Sequence, residues 1–315
     1  MLSSVAIRCY WTGRYLERAE NMARLVAVYS DLLLDLPGEA GVDWRTLIDV
    51  CGSRAAFERY RGWMLERSAV RFLTAEPDNP GSILSSIRFA RENLRTLRDV
   101  VPREGFEVVN ELYLFAEARL GRATQRRARG ELLDQVVGHC QRMTGLLAGT
   151  MLHAEPYQFI RIGRHLERAD MTSRILDVAG DLLEKDERVL AAHGTSLWVN
   201  VLRSASAYQA YRLAVRSRIA PLRVVHFLLR EPTFPRSVRH CLEQIASAVA
   251  QLPVHDAVLQ EVAAVRQAVD ALNLRELVRE ALHREMDALQ RRLIGLHEVM
   301  ERTWFFPAYQ AIARP

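Results

Sequence analysis

The sequence predicts an all-α protein, a pseudo-symmetric helical bundle made of two related halves of about 150 residues. Three observations carry that prediction. Apolar residues recur at three- and four-residue steps through long windows, strand signals are nearly absent, and three motifs recur in the same order later in the chain. The boundaries expected are residues 1–150 and 151–315, packed together as one domain.

Taken in order, the chain opens on an amphipathic window, Arg14 to Val26, that runs into the apolar stretch Leu25 to Leu36. Asp31 and Asp35 interrupt that stretch, and it is too short to cross a bilayer. Pro37-Gly38 ends it. Pro77-Asp-Asn-Pro80 precedes a periodic window carried by Leu84, Ile87, Ala90 and Leu94. Asn79-Pro80-x-Ser82 and Pro235-x-Ser237 each read as a helix opening with proline in the first turn. Further breakers stand at Gly130, Pro156, Pro221, Pro232 and Pro253. Trp198, Tyr208 and Tyr211 have helical spacing and read as core. A last window is carried by Leu282, Met286, Leu289, Leu293 and Val299. No Asn-Gly hairpin turn and no sustained alternation of β-branched residues interrupts the pattern.

The repeat is the most informative feature. Gly13-Arg-Tyr-Leu-Glu-Arg-Ala-Glu-Asn-Met-Ala-Arg-Leu25 matches Gly163-Arg-His-Leu-Glu-Arg-Ala-Asp-Met-Thr-Ser-Arg-Ile175, with seven of thirteen positions identical. Ser53-x-x-Ala56-Phe57-x-x-Tyr60 corresponds to Ser204-x-x-Ala207-Tyr208-x-x-Tyr211. Phe72-Leu-x-x-x-Glu76-Pro77-x-x-Pro80-x-Ser82 corresponds to Phe227-Leu-x-x-x-Glu231-Pro232-x-x-Pro235-x-Ser237. The period is far too long for a solenoid.

On a helical wheel, Arg14, Glu17, Arg18, Glu20, Asn21 and Arg24 fall within one sector, opposite Leu16, Ala19, Ala23 and Val26. Arg14–Glu17 and Glu20–Arg24 are helical neighbours, and Arg164–Glu167 and Asp170–Arg174 repeat them. A solvated face tolerates drift, yet these identities persist while Asn21/Met171 and Met22/Thr172 diverge. We therefore expect a buried or half-buried ion network of Arg14, Glu17, Arg18, Glu20, Arg24, Arg164, Glu167, Arg168, Asp170 and Arg174. Facing each other, the two copies would line the bundle with polar groups able to hold an anionic or zwitterionic ligand. Carboxylates beside arginines suit positioning better than general-acid work. A second candidate is an anion site at the proline-opened helices, formed by Arg88, Arg91, Arg236 and Arg239.

Composition excludes several classes. The chain has 49% apolar and 26% charged residues and a formal net charge of +5, ordinary for a globular protein. Lys185 is the only lysine, and the arginines are spread beside acids rather than clustered, so no nucleic-acid partner is expected. Cys9, Cys51, Cys140 and Cys241 stand alone and suggest buried free thiols in a reducing compartment. The start lacks the marks of a signal peptide, so the expected location is the cytoplasm, without a membrane span. There is no phosphate-binding glycine loop and no nucleophile elbow. Glu280-Ala-Leu-His283 is a single E-x-x-H, where a di-iron bundle needs two, so neither cofactor nor metal is expected. Oligomerisation is left open.

Tyr10-Trp-x-Gly-Arg-Tyr-Leu-Glu-Arg-Ala-Glu20, and Gly149-Thr-Met-x-His153 running into Phe159-x-x-x-Gly163-Arg-x-Leu-Glu-Arg-Ala-Asp-Met-Thr172, resemble the alpha-E domain family, also called DUF403. Asn79-Pro-x-Ser82-Ile83, Ala90-Arg-Glu-Asn93 and Phe234-Pro-Arg-Ser-Val-Arg239 fit the same resemblance, which covers essentially the whole chain. The resemblance implies an all-helical protein named for its Glu-Arg motif, without an established activity. It further implies association with circularly permuted ATP-grasp-like ligases and transglutaminase-like proteins, hence with an amide or peptide linkage. The chain has no fused ligase domain, so that partner is expected to act in trans. Ala154 follows His153 where the family commonly carries an acid. Three readings stand: an accessory or substrate-presenting partner of such a ligase, which is preferred; an enzyme using an Arg/Glu-lined cleft on an amide, amino-acid or peptide substrate; and a scaffold.

Overall fold

The structure, a computed structural model, describes residues 1–35, 43–60, 65–185 and 187–306, without the side chains of 35, 181–193 and 279–280. The Pro37-Gly38 breaker, the Glu280 side chain and the end of the second half lie outside the described residues. Among those described, every regular element is helical and none is a strand.

Two long helices form the centre. Helix α1 (Ser3–Asp35) is 33 residues and α8 (Glu155–Lys185) is 31, each nearly 50 Å long at about 1.5 Å per residue. They pack on each other along much of their length. Short helices α2 (Trp44–Val50), α3 (Arg54–Arg59) and α4 (Glu66–Thr74) lead to α5 (Ile83–Arg95), α6 (Arg103–Arg119) and α7 (Arg126–Thr150). Helices α5 and α7 lie against α1, and α6 lies against both of them.

After α8 come α9 (Glu187–Ser204), α10 (Tyr208–Val215), α11 (Pro221–Arg230), α12 (Val238–Val249) and α13 (Asp256–Ala271). A short turn of helix, α14 (Leu274–Glu276), and a π-helical segment (Leu277–Ala281) precede α15 (Leu282–Met300). Helices α12 and α15 lie against α8, and α13 bridges them. Each central helix therefore carries a similar set of three companions. Among the described residues, nearly all buried apolar side chains belong to one cluster that runs from Ala6 to Phe305.

Local chemistry sets the helix starts. The Ser82 hydroxyl accepts from the Ser85 amide at 3.1 Å and donates to the Glu76 carbonyl at 2.8 Å, capping α5. Ser237 does the same for α12 with the His240 amide and the Glu231 carbonyl. Pro80 and Pro235 thus stand two residues before the cap, in the turn that leads into it, and not in the first helical turn as the sequence suggested. Pro221 does occupy the first turn of α11, where its missing amide has no intrahelical partner to lose. Trp198 and Tyr211 are buried in the core, and Tyr208 is partly buried beside them. Cys9, Cys140 and Cys241 are buried free thiols, and Cys51 is half-buried.

Helix α1 is buried on nearly all sides. Leu16, Ala19, Ala23 and Val26 are buried, and so are Glu17, Glu20 and Asn21. A helix buried all round must be apolar or must pair its charges, because an unpaired buried charge costs far more than packing returns.

Candidate functional site

The approach of α1 to α8 is set by two glycines. A Cβ on Gly13 would stand 2.2 Å from the Ile160 carbonyl oxygen, and one on Gly163 would stand 2.0 Å from that of Tyr10. The relation is reciprocal: each glycine meets the residue three positions before its counterpart. With no side chain at the crossing, the backbones touch, and the residues one turn further on reach across.

Those residues are the carboxylates and arginines of the repeat. Glu167 on α8 is gripped from α1: Arg14 Nε donates at 2.7 Å, Arg18 Nε at 2.5 Å and Arg18 Nη2 at 3.0 Å. Glu17 on α1 is gripped from α8, by Arg168 through Nε at 3.0 Å and Nη2 at 2.7 Å. Only 1% of the Glu17 side chain and 3% of the Glu167 side chain reach solvent. The wheel placed Arg14 beside Glu17 and Arg164 beside Glu167 on their own helices. Instead, the close crossing turns both glutamates toward the opposite helix, where two guanidinium groups meet Glu167 and one meets Glu17. The i,i+4 pairs do form, with Arg24 Nη2 donating to Glu20 at 2.8 Å and Arg174 Nε donating to Asp170 at 2.9 Å.

The second guanidinium on Glu17 comes from elsewhere. Arg236, in the turn before α12, donates to Glu17 at 2.6 Å, to Asn21 at 2.6 Å and to Glu20 at 2.9 Å. The position matching it in the first half is Gly81. Arg164, the counterpart of Arg14, is correspondingly left out. Its Nε is buried without a hydrogen-bond partner, and the arginine meets the Tyr157 hydroxyl instead. Burial, with Arg168 close by, pulls its pKa down.

The electrostatics follow from this pairing. Burial alone would raise the Glu17 carboxyl, but Arg168 and Arg236 outweigh it and hold the group well below the usual carboxylate range. Burial likewise opposes ionisation of Glu167, and Arg18 and Arg14 bring it down to about 2. Both glutamates are therefore fully charged at neutral pH and have no proton to give. The cavities of about 490, 380 and 270 Å³ among the described residues are lined by none of these ten residues. Except for Arg164, the arginines that could have lined a ligand cleft are spent on carboxylates.

The second candidate cluster does not assemble. Arg236 belongs to the network, Arg239 pairs with Glu243 at 3.0 Å, and Arg91 donates to Asn110 at 2.8 Å and Glu92 at 2.9 Å. Arg88 lies over the Phe89 ring. Three of the four are answered by acids or an amide, which leaves no shared anion seat. His153 stacks on Tyr157 with centroids 4.0 Å apart and bonds the Ala148 carbonyl, both local to its own turn.

The sequence reading passed over one cluster beside the network. The Tyr10 ring stacks on His297 of α15 at 5.4 Å, and its hydroxyl lies 2.8 Å from His297 Nδ1. Arg14 Nη1 donates to the same hydroxyl at 3.3 Å. Burial pushes the tyrosine up to about 12. Burial, with Arg14 nearby, pulls His297 down to about 4. Tyr10 keeps its proton and His297 is neutral, so the hydroxyl donates to Nδ1 and the imidazole proton sits on Nε2, facing Glu301 at 3.4 Å. Tyr10 opens the Tyr10–Glu20 motif, but nothing in its spacing points to a partner 287 residues away.

These shifts set two pH windows. His297 has a folded pKa below its unfolded value, so its contribution is present above about pH 6.5 and lost as pH falls toward its folded value. Buried His165 shifts in the same direction. The glutamates contribute above their unfolded value and lose that contribution as pH falls toward 2. The melting temperature should therefore fall in two stages on acidification. His297→Gln should shrink the upper stage and Glu167→Gln the lower one. A melting temperature flat from pH 7 to pH 4 would contradict this.

Arg18→Ala is expected to cost only ~1–2 kcal/mol in a urea melt, because Arg14 still neutralises Glu167 and the Arg18 side chain is 23% exposed.

The sequence profile of Alpha-E, described as a predicted alpha-helical domain with a conserved ER motif, matches residues 1–305. The chain belongs to the Alpha-E family. Among relatives of this Alpha-E protein are an uncharacterised protein of Mycobacterium bovis and uncharacterised proteins from two Mycobacterium tuberculosis strains. Each is 23% identical over 271 residues, covering 78% of this chain and 29% of the relative. The chain thus spans under a third of the length of the curated relatives it matches. No solved structure matches it. Among the described residues, no helix is long and apolar enough to cross a membrane, and no group of His, Cys, Asp and Glu side chains is placed to hold a metal ion.

Proposed function

We propose that this Alpha-E protein is a non-catalytic helical module that serves a circularly permuted ATP-grasp-type amide or peptide ligase as an accessory, docking the ligase or presenting its substrate. The observation that carries this reading is the saturation of the Glu-Arg network. Glu17, Glu20, Asp170 and Glu167 each accept from at least one guanidinium, and the two central glutamates from two. A catalytic cleft needs groups poised to bind or exchange protons, and the four carboxylates here are each committed to a guanidinium. The motif then acts as a lock that gives the module one rigid shape. In the curated relatives the matching region is a minor part of a longer polypeptide, as expected of a module that works with other domains. The ligase itself, and a transglutaminase-like partner beside it, come from the family resemblance; a reducing cytoplasm fits the free cysteines.

The test is reconstitution. A circularly permuted ATP-grasp-type ligase from the same genome should co-elute with this chain in size-exclusion chromatography, and its ATP-dependent amide formation should rise when the chain is added. Separate elution together with an unchanged ligase rate would overturn the accessory reading. ATP-independent turnover of amide substrates by the isolated chain would replace it with the enzymatic one.

A further inference from the structure

The cavities of about 380 and 490 Å³ among the described residues differ in charge. One, about 380 Å³ between α13, α14 and α15, is lined by Arg284 and Arg292 but also by Glu276 and Glu285, with Arg284 Nε donating to Glu285 at 3.1 Å. Its charges answer one another. The other, about 490 Å³, lies between α11 and the turn from α13 to α14. Arg223, His226 and Arg230 reach it from α11 at successive helical turns, Arg275 reaches it from α14, and no acidic residue lines it among those described.

Arg230 is structural. Its guanidinium donates to the carbonyls of Val269 at 2.8 Å, Asp270 at 2.9 Å and Leu272 at 2.7 Å, satisfying the open end of α13 and fixing one wall of the cavity. The other three cations have no such commitment. Among the described residues, no side-chain hydrogen bond or ion pair holds Arg223, His226 or Arg275. The exposed arginines Arg54, Arg103, Arg142 and Arg291, by contrast, are paired with acids. Apart from Asn273, the rest of the lining is apolar: Val215, Leu222, Leu272 and Leu274.

We propose that this cavity binds a small amphipathic organic anion, its carboxylate or phosphate head held by Arg223 and Arg275 and its apolar body against Leu222 and Leu274. Planar guanidinium forks match both head groups, the concavity is within the size range of small-molecule sites, and an apolar wall with a few convergent polar groups is the usual make-up of such a site. The site is separate from the Glu-Arg network and does not depend on the accessory reading.

Isothermal titration of the whole chain with octanoate, octyl phosphate and octan-1-ol tests it. At least one anion should bind on the order of tenfold more tightly than the alcohol, and Arg223→Gln/Arg275→Gln should lose that advantage. Both side chains are exposed, so the variant's melting temperature should match the wild type, separating lost binding from lost folding. The tighter of the two anions assigns the head group. Binding of octan-1-ol as tightly as either anion, undiminished anion binding by the double variant, or no binding of either anion would each overturn the proposal.

Discussion

Glu17→Gln is expected to lower the unfolding free energy by roughly 3–5 kcal/mol, the usual cost of removing one partner from a buried ion pair. The glutamine fits the same space and keeps one acceptor oxygen, so packing changes little. What it removes is the charge that neutralises both Arg168 and Arg236, whose side chains are only 14% and 12% exposed. Neither guanidinium can lose its proton, and neither has another acid at equal distance; Arg236 retains Glu20, and Arg168 retains only the Pro235 carbonyl at 3.4 Å. For a chain of this size the loss corresponds to a melting temperature lower by roughly 10 °C. Glu285→Gln on α15, which breaks an exposed pair with Arg284, should move stability by no more than ~0.5 kcal/mol. Urea melts followed by circular dichroism distinguish these outcomes. A Glu17→Gln loss no larger than that of Glu285→Gln would mean that the central pair is not buried in solution.

Gly163→Ala should be comparably disruptive, for a steric reason. Its Cβ would stand 2.0 Å from the Tyr10 carbonyl oxygen and 3.3 Å from Arg14 Cγ. The obstacle is backbone, so no rotamer change relieves it, and α1 and α8 must separate. Separation stretches the reciprocal pairs as well, which puts the cost at roughly 3 kcal/mol or more, the upper end of overpacking penalties. Gly138, exposed within α7 with nothing near its Cβ position, is the control. There alanine should stabilise by ~0.5–1 kcal/mol through helix propensity alone. Opposite signs for the same substitution in two helices, read by differential scanning calorimetry, would establish the crossing; equal signs would refute it.

The sequence revealed the class of each element better than its partners. Helical periodicity is local, so an all-α chain could be read directly from residues such as Leu282, Met286, Leu289 and Leu293. The network residues could be found because Gly13–Arg24 and Gly163–Arg174 keep the same chemistry while their neighbours drift. Their pairing could not be read. Intrahelical spacing favours Arg14 with Glu17, and only the glycine crossing shows why Glu167 takes Arg14 instead. Arg236 was visible as an arginine beside a proline and serine, but no period connects it to Glu17, 219 positions earlier. The same holds for Tyr10 and His297. Contacts between elements far apart in sequence depend on tertiary packing, which a single chain's local pattern does not encode. Arg164 adds a related lesson: matched positions in a repeat need not keep matched contacts, because Arg236 takes the place on Glu17 that symmetry would have given it.

The most direct measurement is a double-mutant cycle on Glu17 and Arg168, using Glu17→Gln, Arg168→Met and their combination in urea denaturation. If the two helices are locked by reciprocal charge pairs, each single change strands a buried charge, and the double change relieves part of that cost. The coupling should reach ~2 kcal/mol, in the range found for residues sharing one ion network. Additivity to within ~0.5 kcal/mol would show that the Glu-Arg motif does not join α1 to α8.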